Sequence, residues 1–180
     1  NTFDRGANRS GADWAFLERL RGKWPGKLIV KGVTSAADAL RIRSLGADAI
    51  YVSNHGGRQL DSVPPAIRLL PLIRAAVGPE FPLLFDSGIR NGEDIVKALA
   101  LGADFVMIGR PALFALGAEG AAGLNALLSC FATDISVVMA QLGITSIDQL
   151  GPDVIFQDAG HAHVDAETKT RAALRLAAKT

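Results

Sequence analysis

The chain has 180 residues, of which 49% are hydrophobic and 21% charged, and this composition can bury a core and excludes an intrinsically disordered protein. Lysine and arginine total 19 against 18 aspartates and glutamates, and the net charge of +1 argues against a protein that coats nucleic acid, which needs a basic surplus. The single cysteine, Cys130, excludes an intrachain disulfide and indicates a reducing compartment, the cytoplasm.

From residue 13 onward, the apolar residues alternate between helical and strand-like patterns. No run of 18 apolar residues occurs, so the sequence predicts no membrane-spanning helix, and Cys130 is predicted to pack in the core. The predicted strands are, in chain order, KLIVKG, DAIYVSN, FPLLFDSG and DFVMIGR. The predicted helices are DWAFLERLRGKW, TSAADALRIRSLGA, AIRLLPLIRAAVG and GEDIVKALALGA, then a short one near 111–117 and a long one from about 120 to 142.

Short uninterrupted apolar runs are typical of parallel strands covered on both faces, and the order strand–helix occurs four times. Four such βα units are half of a (β/α)8 TIM barrel, an α/β fold of about 250 residues. An open doubly wound sheet is the alternative, although no strand is followed by the G-x-G-x-x-G motif of its dinucleotide-binding form. We expect residues 1–160 to form the half-barrel and residues 161–180 to form a tail with a helix.

Two segments are near-repeats, SLGADAIYVSN and ALGADFVMIGR. Each contains the end of a helix, a Gly-Ala-Asp sequence, an apolar strand and a polar strand tip. The segment between the strand tips at Ser53 and Asp86 is longer than the other connections. It leaves room for a functional loop, which begins with the sequence SNHGGRQLD.

The last two strand tips suit a phosphate group. Glycines let backbone N–H groups approach an anion, a helix N-terminus adds a favourable dipole, and arginine adds paired hydrogen bonds. Two ordinary βα turns with surface arginines are the alternative. The residues concerned are Gly88, Arg90 and Gly92 in DSGIRNG, and Gly109, Arg110 and Pro111 in GRPALF.

Three further residues have side chains suited to an active site. Lys31 ends the run LIVK, and a lysine at a buried strand tip is costly unless it meets an anion. His55 and Arg58 lie three residues apart on the loop after the second strand. Histidine is the usual general base near neutral pH, and arginine grips a carboxylate with two parallel bonds. A lysine that reaches solvent and a hydrogen-bonded polar loop remain the structural alternatives.

Four motifs, LIVKG, SNHGGRQLD, DSGIRNGEDIVKALALGAD and IGRP, stand in an order and spacing that resemble the FMN-dependent α-hydroxy acid oxidase and dehydrogenase family. Glycolate oxidase, lactate dehydrogenase and mandelate dehydrogenase are of this type. The resemblance covers nearly all of residues 13–157, and SNHGGRQLD is its most specific part. It implies an FMN-binding TIM barrel of which this chain supplies the last four βα units and the C-terminal helices.

The resemblance also implies a role for each candidate residue. Lys31 would stabilise negative charge on the reduced flavin, His55 would be the base that takes the substrate proton, and Arg58 would bind the substrate carboxylate. Ser53 would lie near the flavin, and Asp86 would hold ribityl hydroxyls. The FMN phosphate would be held by Gly88, Arg90, Gly109 and Arg110.

The implied reaction is the oxidation of a 2-hydroxy acid to the 2-oxo acid, with oxygen, a quinone or a cytochrome as the final electron acceptor. The family's tyrosines, second substrate arginine and histidine-orienting aspartate have no counterpart here. Tyr51, the only tyrosine, lies in a strand. The chain is therefore expected to be a C-terminal half that works with an N-terminal half, as part of a homo-oligomer. The implied location is cytoplasmic, peripheral to the inner membrane through a segment not in this chain.

The family pattern also has one departure here, because Asn91 stands where a second basic residue often follows Arg90. Two other functions remain alternatives: another FMN barrel enzyme, and a non-catalytic half-barrel that binds phosphate or FMN. A barrel enzyme with a catalytic cysteine is disfavoured, since Cys130 is not on a strand-tip loop. His161 and His163 are predicted to belong to a solvated tail, not to a metal site.

Overall fold

The computed structural model describes residues 13–156, and their centre is a four-stranded parallel sheet with the strands side by side in chain order. A doubly wound sheet reverses its strand order at one point, whereas a barrel does not. The prediction of α/β units that belong to a barrel is therefore confirmed. The strands are β1 (Ile29–Val33), β2 (Ala49–Val52), β3 (Leu83–Phe85) and β4 (Phe105–Val106).

The described residues also form five α-helices, in the predicted alternation with the strands, and three short 3-10 helices at His55–Gly57, Ile147–Gln149 and Pro152–Val154. Ser35 caps the second helix, because its hydroxyl accepts a hydrogen bond from the Asp38 N–H at 3.3 Å. Pro71 neither begins nor ends the third helix but lies inside it. The helices are α1 (Trp14–Lys23), α2 (Ala36–Ser44), α3 (Ala66–Val77), α4 (Gly92–Ala100) and α5 (Arg110–Gln141).

The helices cover one face of the sheet and form the core with it. Ile50, Leu83 and Phe85 point to this face and are fully buried, as are Leu70 and Ile73 of α3. Each such side chain contributes about 1.5–3 kcal/mol through its burial. Tyr51 is less buried than Ile50 and Val52 in β2, and Leu84 is less buried than its two neighbours in β3. Tyr51 and Leu84 therefore point to the other face of the sheet.

The other face of the sheet is partly open to solvent. Lys31, Tyr51, Leu84 and Phe105 pair across the sheet at one level of this face, and Phe105 is 59% exposed. In a closed barrel this face lines the interior. The expectation of strands covered on both faces therefore holds for the helix-covered face only, because the described residues supply no opposite wall.

The aspartate of the first near-repeat, Asp48, is the centre of a hydrogen-bonded clamp at the amino ends of β1 and β2. The Asp48 carboxylate accepts hydrogen bonds from the Leu28 N–H at 2.9 Å, the Lys27 ammonium at 2.9 Å and the Arg21 guanidinium at 3.0 Å. Arg21 also donates to backbone carbonyls, including that of Gly46. The clamp joins α1, β1 and the turn before β2.

The second near-repeat builds the same clamp between β3 and β4. The Asp104 carboxylate accepts from the Leu83 N–H at 2.7 Å and from the Arg74 guanidinium at 2.6 Å, and Arg74 donates to the Gly102 carbonyl at 2.9 Å. The Gly-Ala-Asp repeat in the sequence is thus explained by a structural repeat. Both clamps lie at the end of the barrel strands where residues serve stability.

Replacing Asp48 with asparagine is expected to lower the melting temperature at neutral pH and to flatten its dependence on pH below 4. Hydrogen bonds from Lys27 and from the Leu28 N–H lower the pKa of Asp48 from 3.8 to about 2. A carboxylate with a lowered pKa stabilises the fold above its unfolded pKa, and this stabilisation is lost as the pH falls from about 4 to about 2. Thermal unfolding measured across this range tests the expectation, with Asp38→Asn as the control; equal acid sensitivity of wild type and D48N would contradict it.

The last helix, α5, is long, kinked and largely exposed. The predicted short and long helices are joined in it, with non-helical backbone at Glu119 and Gly120 between them. By length and composition alone α5 could cross a membrane, and it is the one helix among the described residues that meets this criterion, which the core helix of a soluble protein also meets. Cys130 is exposed on α5, so the prediction of a core thiol is wrong.

The part of α5 that follows the kink at Glu119 and Gly120 packs against α4. Phe131 is the buried residue of α5, and the Asp134 carboxylate accepts a hydrogen bond from the Gly92 N–H at 3.2 Å. The predicted tail at 161–180, with His161 and His163, lies outside the described residues.

Candidate active site

An open cleft of about 200 Å³ lies at the carboxyl ends of the strands. Carboxyl ends of parallel strands meet at one edge of the sheet, and in barrels this edge carries the functional residues. Most of the residues predicted from the strand tips are therefore brought together. The cleft is lined by the ionisable residues Lys31, His55, Arg58, Asp86 and Arg110, by Gly56, Ser87, Gly88 and Gly109, and by the apolar Ile89, Met107 and Leu113.

Lys31 lies within β1 and holds an ion pair in the cleft. Its Nζ is 3.2 Å from Asp86 Oδ2 and donates a hydrogen bond to Ser53 Oγ at 3.0 Å. The same ammonium lies 4.6 Å from the centre of the Tyr51 ring, a distance typical of a cation–π contact. The expected anion near Lys31 is therefore supplied by the protein itself, and the Lys31 side chain is partly exposed at the cleft surface.

Asp86 is held ionised by its neighbours. Burial favours its neutral form, but hydrogen bonds from Ser53, Ser87 and Tyr51 together with the charge of Lys31 lower the pKa of its carboxyl. Burial raises the pKa of Tyr51, and the hydrogen bond to the Asp86 carboxylate and its negative charge raise it further. Tyr51 thus remains a neutral donor to Asp86.

Ser53 is fully buried and lies beneath the cleft, not on its surface. Its hydroxyl oxygen accepts from Lys31 Nζ and, at 3.0 Å, from the His55 N–H. The position of Ser53 near a flavin stays a prediction, and the structure shows in addition that its side chain supports the cleft from beneath. Ser53 links the lysine of β1 to the backbone of the histidine loop.

The loop after β2 turns sharply through a short 3-10 helix, His55–Gly57. His55, Gly56 and Gly57 all have positive φ, at 56°, 65° and 76°, the left-handed region that glycine adopts at no steric cost. The glycine pair therefore permits the turn, whereas His55 is held there despite its side chain. A non-glycine residue with positive φ is uncommon and is associated with functional sites.

The imidazole of His55 packs directly over β1. A Cβ atom placed on Gly32 would lie 2.7 Å from His55 Cε1, so only glycine leaves room for the ring at this point. Arg58 follows at the end of the 3-10 helix, where its N–H donates to the His55 carbonyl at 3.3 Å. One short turn thus presents both side chains to the cleft.

The tips of β3 and β4 expose backbone to the cleft. A Cβ atom at Gly88 or Gly109 would meet nothing within 4 Å, so a ligand can approach the main chain at both positions. Gly109 precedes α5, whose N-terminus is capped by no side chain among the described residues. The first N–H groups of α5, the Arg110 guanidinium and the helix dipole together favour an anion here.

The residues at the start of α4 are placed differently. Arg90 is exposed and is not among the residues that line the cleft. The N-terminus of α4 is already satisfied, because the Asn91 side chain accepts from the Asp94 N–H and Asp94 accepts from the Arg90 N–H. Gly92 serves close packing, since a Cβ there would lie 2.7 Å from the Phe131 carbonyl of α5.

Sequence reasoning missed Ser87, which lies at the centre of the polar network. Its hydroxyl contacts Asp86 and the backbone of the His55 loop. The signal available was the serine in DSG, at a turn where glycine is the residue expected for positive φ. Met107 and Leu113, which give the cleft its apolar side, carried no signal that distinguishes them from core residues.

The sequence matches the model of the FMN-dependent dehydrogenase family over residues 2–157. An L-lactate dehydrogenase of Pseudomonas syringae pv. syringae is 46% identical over 155 residues, which are 86% of this chain and 40% of that protein. The chain thus spans about two fifths of the length of this curated relative.

Solved structures agree with the sequence match. A soluble mutant of the membrane-associated (S)-mandelate dehydrogenase from Pseudomonas putida is 43% identical and superposes with a TM-score of 0.79 over 84% of this chain and 44% of that one. A mandelate oxidase mutant with a monooxide FMN adduct is 42% identical, with a TM-score of 0.72 over 76% of this chain and 44% of that one. Both similarities are high enough in identity to relate the chains as well as the folds.

Proposed function

The chain belongs to the FMN-dependent dehydrogenase family, and from this premise we propose that it supplies the cofactor-binding and catalytic strand tips of an enzyme that oxidises a 2-hydroxy acid to the 2-oxo acid. One observation carries the proposal: a single cleft is lined by a histidine, an arginine, an ion-paired lysine and two open glycine tips. A base, a carboxylate ligand and an anion cradle are the groups that this reaction requires.

The residues of the cleft suit both ends of an FMN molecule, its phosphate and its ring system. Gly88, Gly109 and Arg110 would hold the phosphate, because open backbone and an uncapped helix N-terminus favour an anion there. Asp86, kept ionised, would accept hydrogen bonds from ribityl hydroxyls, and Lys31 would face the ring system. FMN supplies the acceptor for the electron pair of the oxidation when it is bound.

Three side chains of this chain would do the remaining chemistry. The Arg58 guanidinium binds the substrate carboxylate through two parallel hydrogen bonds, which fixes the orientation of the hydroxyl-bearing carbon. The His55 imidazole takes a proton from the substrate as general base. The Lys31 ammonium, held in place by Asp86 and Ser53, stabilises negative charge that develops in the cleft.

We propose that activity requires further βα units opposite the described sheet. Ile29 at one edge is 48% exposed and Phe105 at the other is 59% exposed, and an eight-stranded barrel buries both edges. The N-terminal half of the barrel is the partner that fits these edges. It would also supply the rest of the substrate pocket, and the whole would assemble as a homo-oligomer.

The proposed location is the cytoplasm, at the inner membrane. The Pseudomonas putida mandelate dehydrogenase is membrane-associated, which supports peripheral binding for a relative of this identity. The single cysteine is in keeping with a reducing compartment.

Replacing Arg110 with glutamine is expected to weaken FMN binding by about tenfold or more, because a charge-assisted hydrogen bond contributes about 1.5–3 kcal/mol. Arg90→Gln is the matched control: it removes the same charge from the neighbouring strand tip, but Arg90 lies outside the cleft lining. FMN affinity measured by quenching of flavin fluorescence should distinguish the two variants. Equal losses in R90Q and R110Q would contradict the assignment of the phosphate to the α5 end.

The reaction itself is tested by product formation. The FMN-loaded holoenzyme should convert a 2-hydroxy acid such as lactate or mandelate into the 2-oxo acid in the presence of an artificial electron acceptor. A protein that binds FMN tightly but forms no 2-oxo acid from either would instead be a non-catalytic FMN-binding module.

A further inference from the structure

Ser87 lies at the end of β3, between Asp86 and Gly88, and has a φ of 86°. Residues with a side chain rarely adopt this backbone conformation, which glycine adopts without steric cost. Gly88, the next residue, also has a positive φ, of 90°, and glycine there is expected. A serine in this conformation must be held by interactions of its side chain or its neighbours.

The Ser87 hydroxyl is fully used in hydrogen bonds. It donates to Asp86 Oδ1 at 2.8 Å and accepts from the N–H groups of Asn54 at 3.3 Å and Gly56 at 3.2 Å. A hydroxyl has one proton and two lone pairs, and each has a partner here. The contacts join the tip of β3 to the loop after β2, more than thirty residues away in the chain.

The two amides that Ser87 binds flank His55. The N–H of His55 itself donates to Ser53 Oγ at 3.0 Å. Three consecutive N–H groups of the histidine loop are thus held by two serine hydroxyls, in a turn where His55 has a φ of 56°. Ser53 is anchored to Lys31 and Ser87 to Asp86.

We propose that Ser87 is a positioning residue that fixes the backbone of His55 relative to the Lys31–Asp86 ion pair. This inference rests on the proposed function, in which His55 is the base. The substrate proton, the base and the cofactor must be aligned within a fraction of an ångström, and a misplacement of about 1 Å costs about a hundredfold in rate. A glycine at position 87 would adopt the same backbone but could not hold the loop.

Amide hydrogen exchange tests directly whether the Ser87 hydroxyl holds the backbone of the His55 loop. In the holoenzyme, the Asn54 N–H should exchange at least tenfold faster in both Ser87→Ala and Ser87→Gly than in wild type. The Gly56 N–H should respond less, because Asn54 Oδ1 also accepts from it at 3.0 Å. Ser136→Ala is the control, since among the described residues this hydroxyl bonds within its own helix, at the Ala132 carbonyl. Unchanged exchange at Asn54 in both Ser87 variants would overturn the proposal.

Kinetics test whether Ser87 acts through His55. We expect Ser87→Ala to lower kcat by about tenfold to a hundredfold with a change in KM of less than about threefold, and to have little further effect in a His55→Gln background. The full S87A loss in that background would overturn the proposal and leave the proposed function intact. A wild-type holoenzyme inactive on 2-hydroxy acids would contradict the proposed function. The exchange rate of the Asn54 N–H would then decide by itself whether Ser87 holds the backbone of the His55 loop.

Discussion

Replacing His55 with glutamine is expected to lower kcat by about 10²- to 10⁴-fold while FMN stays bound, since a positioned general base contributes a factor of this size. Glutamine has a similar length and can hydrogen-bond, but it cannot take up a proton near neutral pH. The backbone of the loop should survive the change, because it is held through N–H groups and the glycine pair and not through the imidazole.

The measurement for this variant is steady-state turnover together with the FMN content of the purified protein. FMN content should match that of wild type, because the predicted phosphate contacts at Gly88, Gly109 and Arg110 are untouched. Turnover within a few-fold of wild type would exclude His55 as the base. Loss of FMN alone would instead assign the histidine to cofactor retention.

Replacing Arg58 with lysine is expected to raise KM by about tenfold to a hundredfold with a much smaller change in kcat. A lysine keeps the charge but replaces a planar fork with a single point of contact, and a charge-assisted hydrogen bond is worth about 1.5–3 kcal/mol. Each 1.4 kcal/mol corresponds to about a tenfold change in binding.

The matched control is Arg68→Lys, which makes the same substitution on the exposed side of α3, outside the cleft lining. Its KM should equal that of wild type. A normal KM in R58K would contradict the role of Arg58 as the carboxylate ligand. A drop in kcat with unchanged KM would mean that Arg58 acts on the transition state and not on substrate binding.

Most of the fold could be predicted from the sequence because the strands are short apolar runs between capped or glycine-terminated helices. The parallel order follows from the repeated βα spacing. The internal repeat was visible as Gly-Ala-Asp, but its reason, a carboxylate that accepts from the start of the preceding strand, depends on tertiary contacts that no local pattern encodes. The exposure of Cys130 could not be predicted either, since its apolar neighbours read as core.

The candidate site was predictable as a set of strand tips, because topology alone brings the carboxyl ends of parallel strands together. The sequence was a weaker guide to which individual side chains enter the cleft. Arg90 and Arg110 each follow a glycine near the start of a helix, and the sequence did not show that Asn91 and Asp94 already satisfy the N-terminus of α4. Ser87 was overlooked because its importance lies in its backbone angle and in partners on another loop.

The most direct test of the account is an anaerobic titration of the FMN-loaded holoenzyme with a 2-hydroxy acid, followed by the visible absorbance of oxidised flavin. We expect the absorbance to bleach fully, with one 2-oxo acid formed per FMN, and the bleaching rate to fall at least a hundredfold in His55→Gln. Flavin that stays bound and oxidised in the wild-type holoenzyme in the presence of saturating lactate and mandelate would contradict the account.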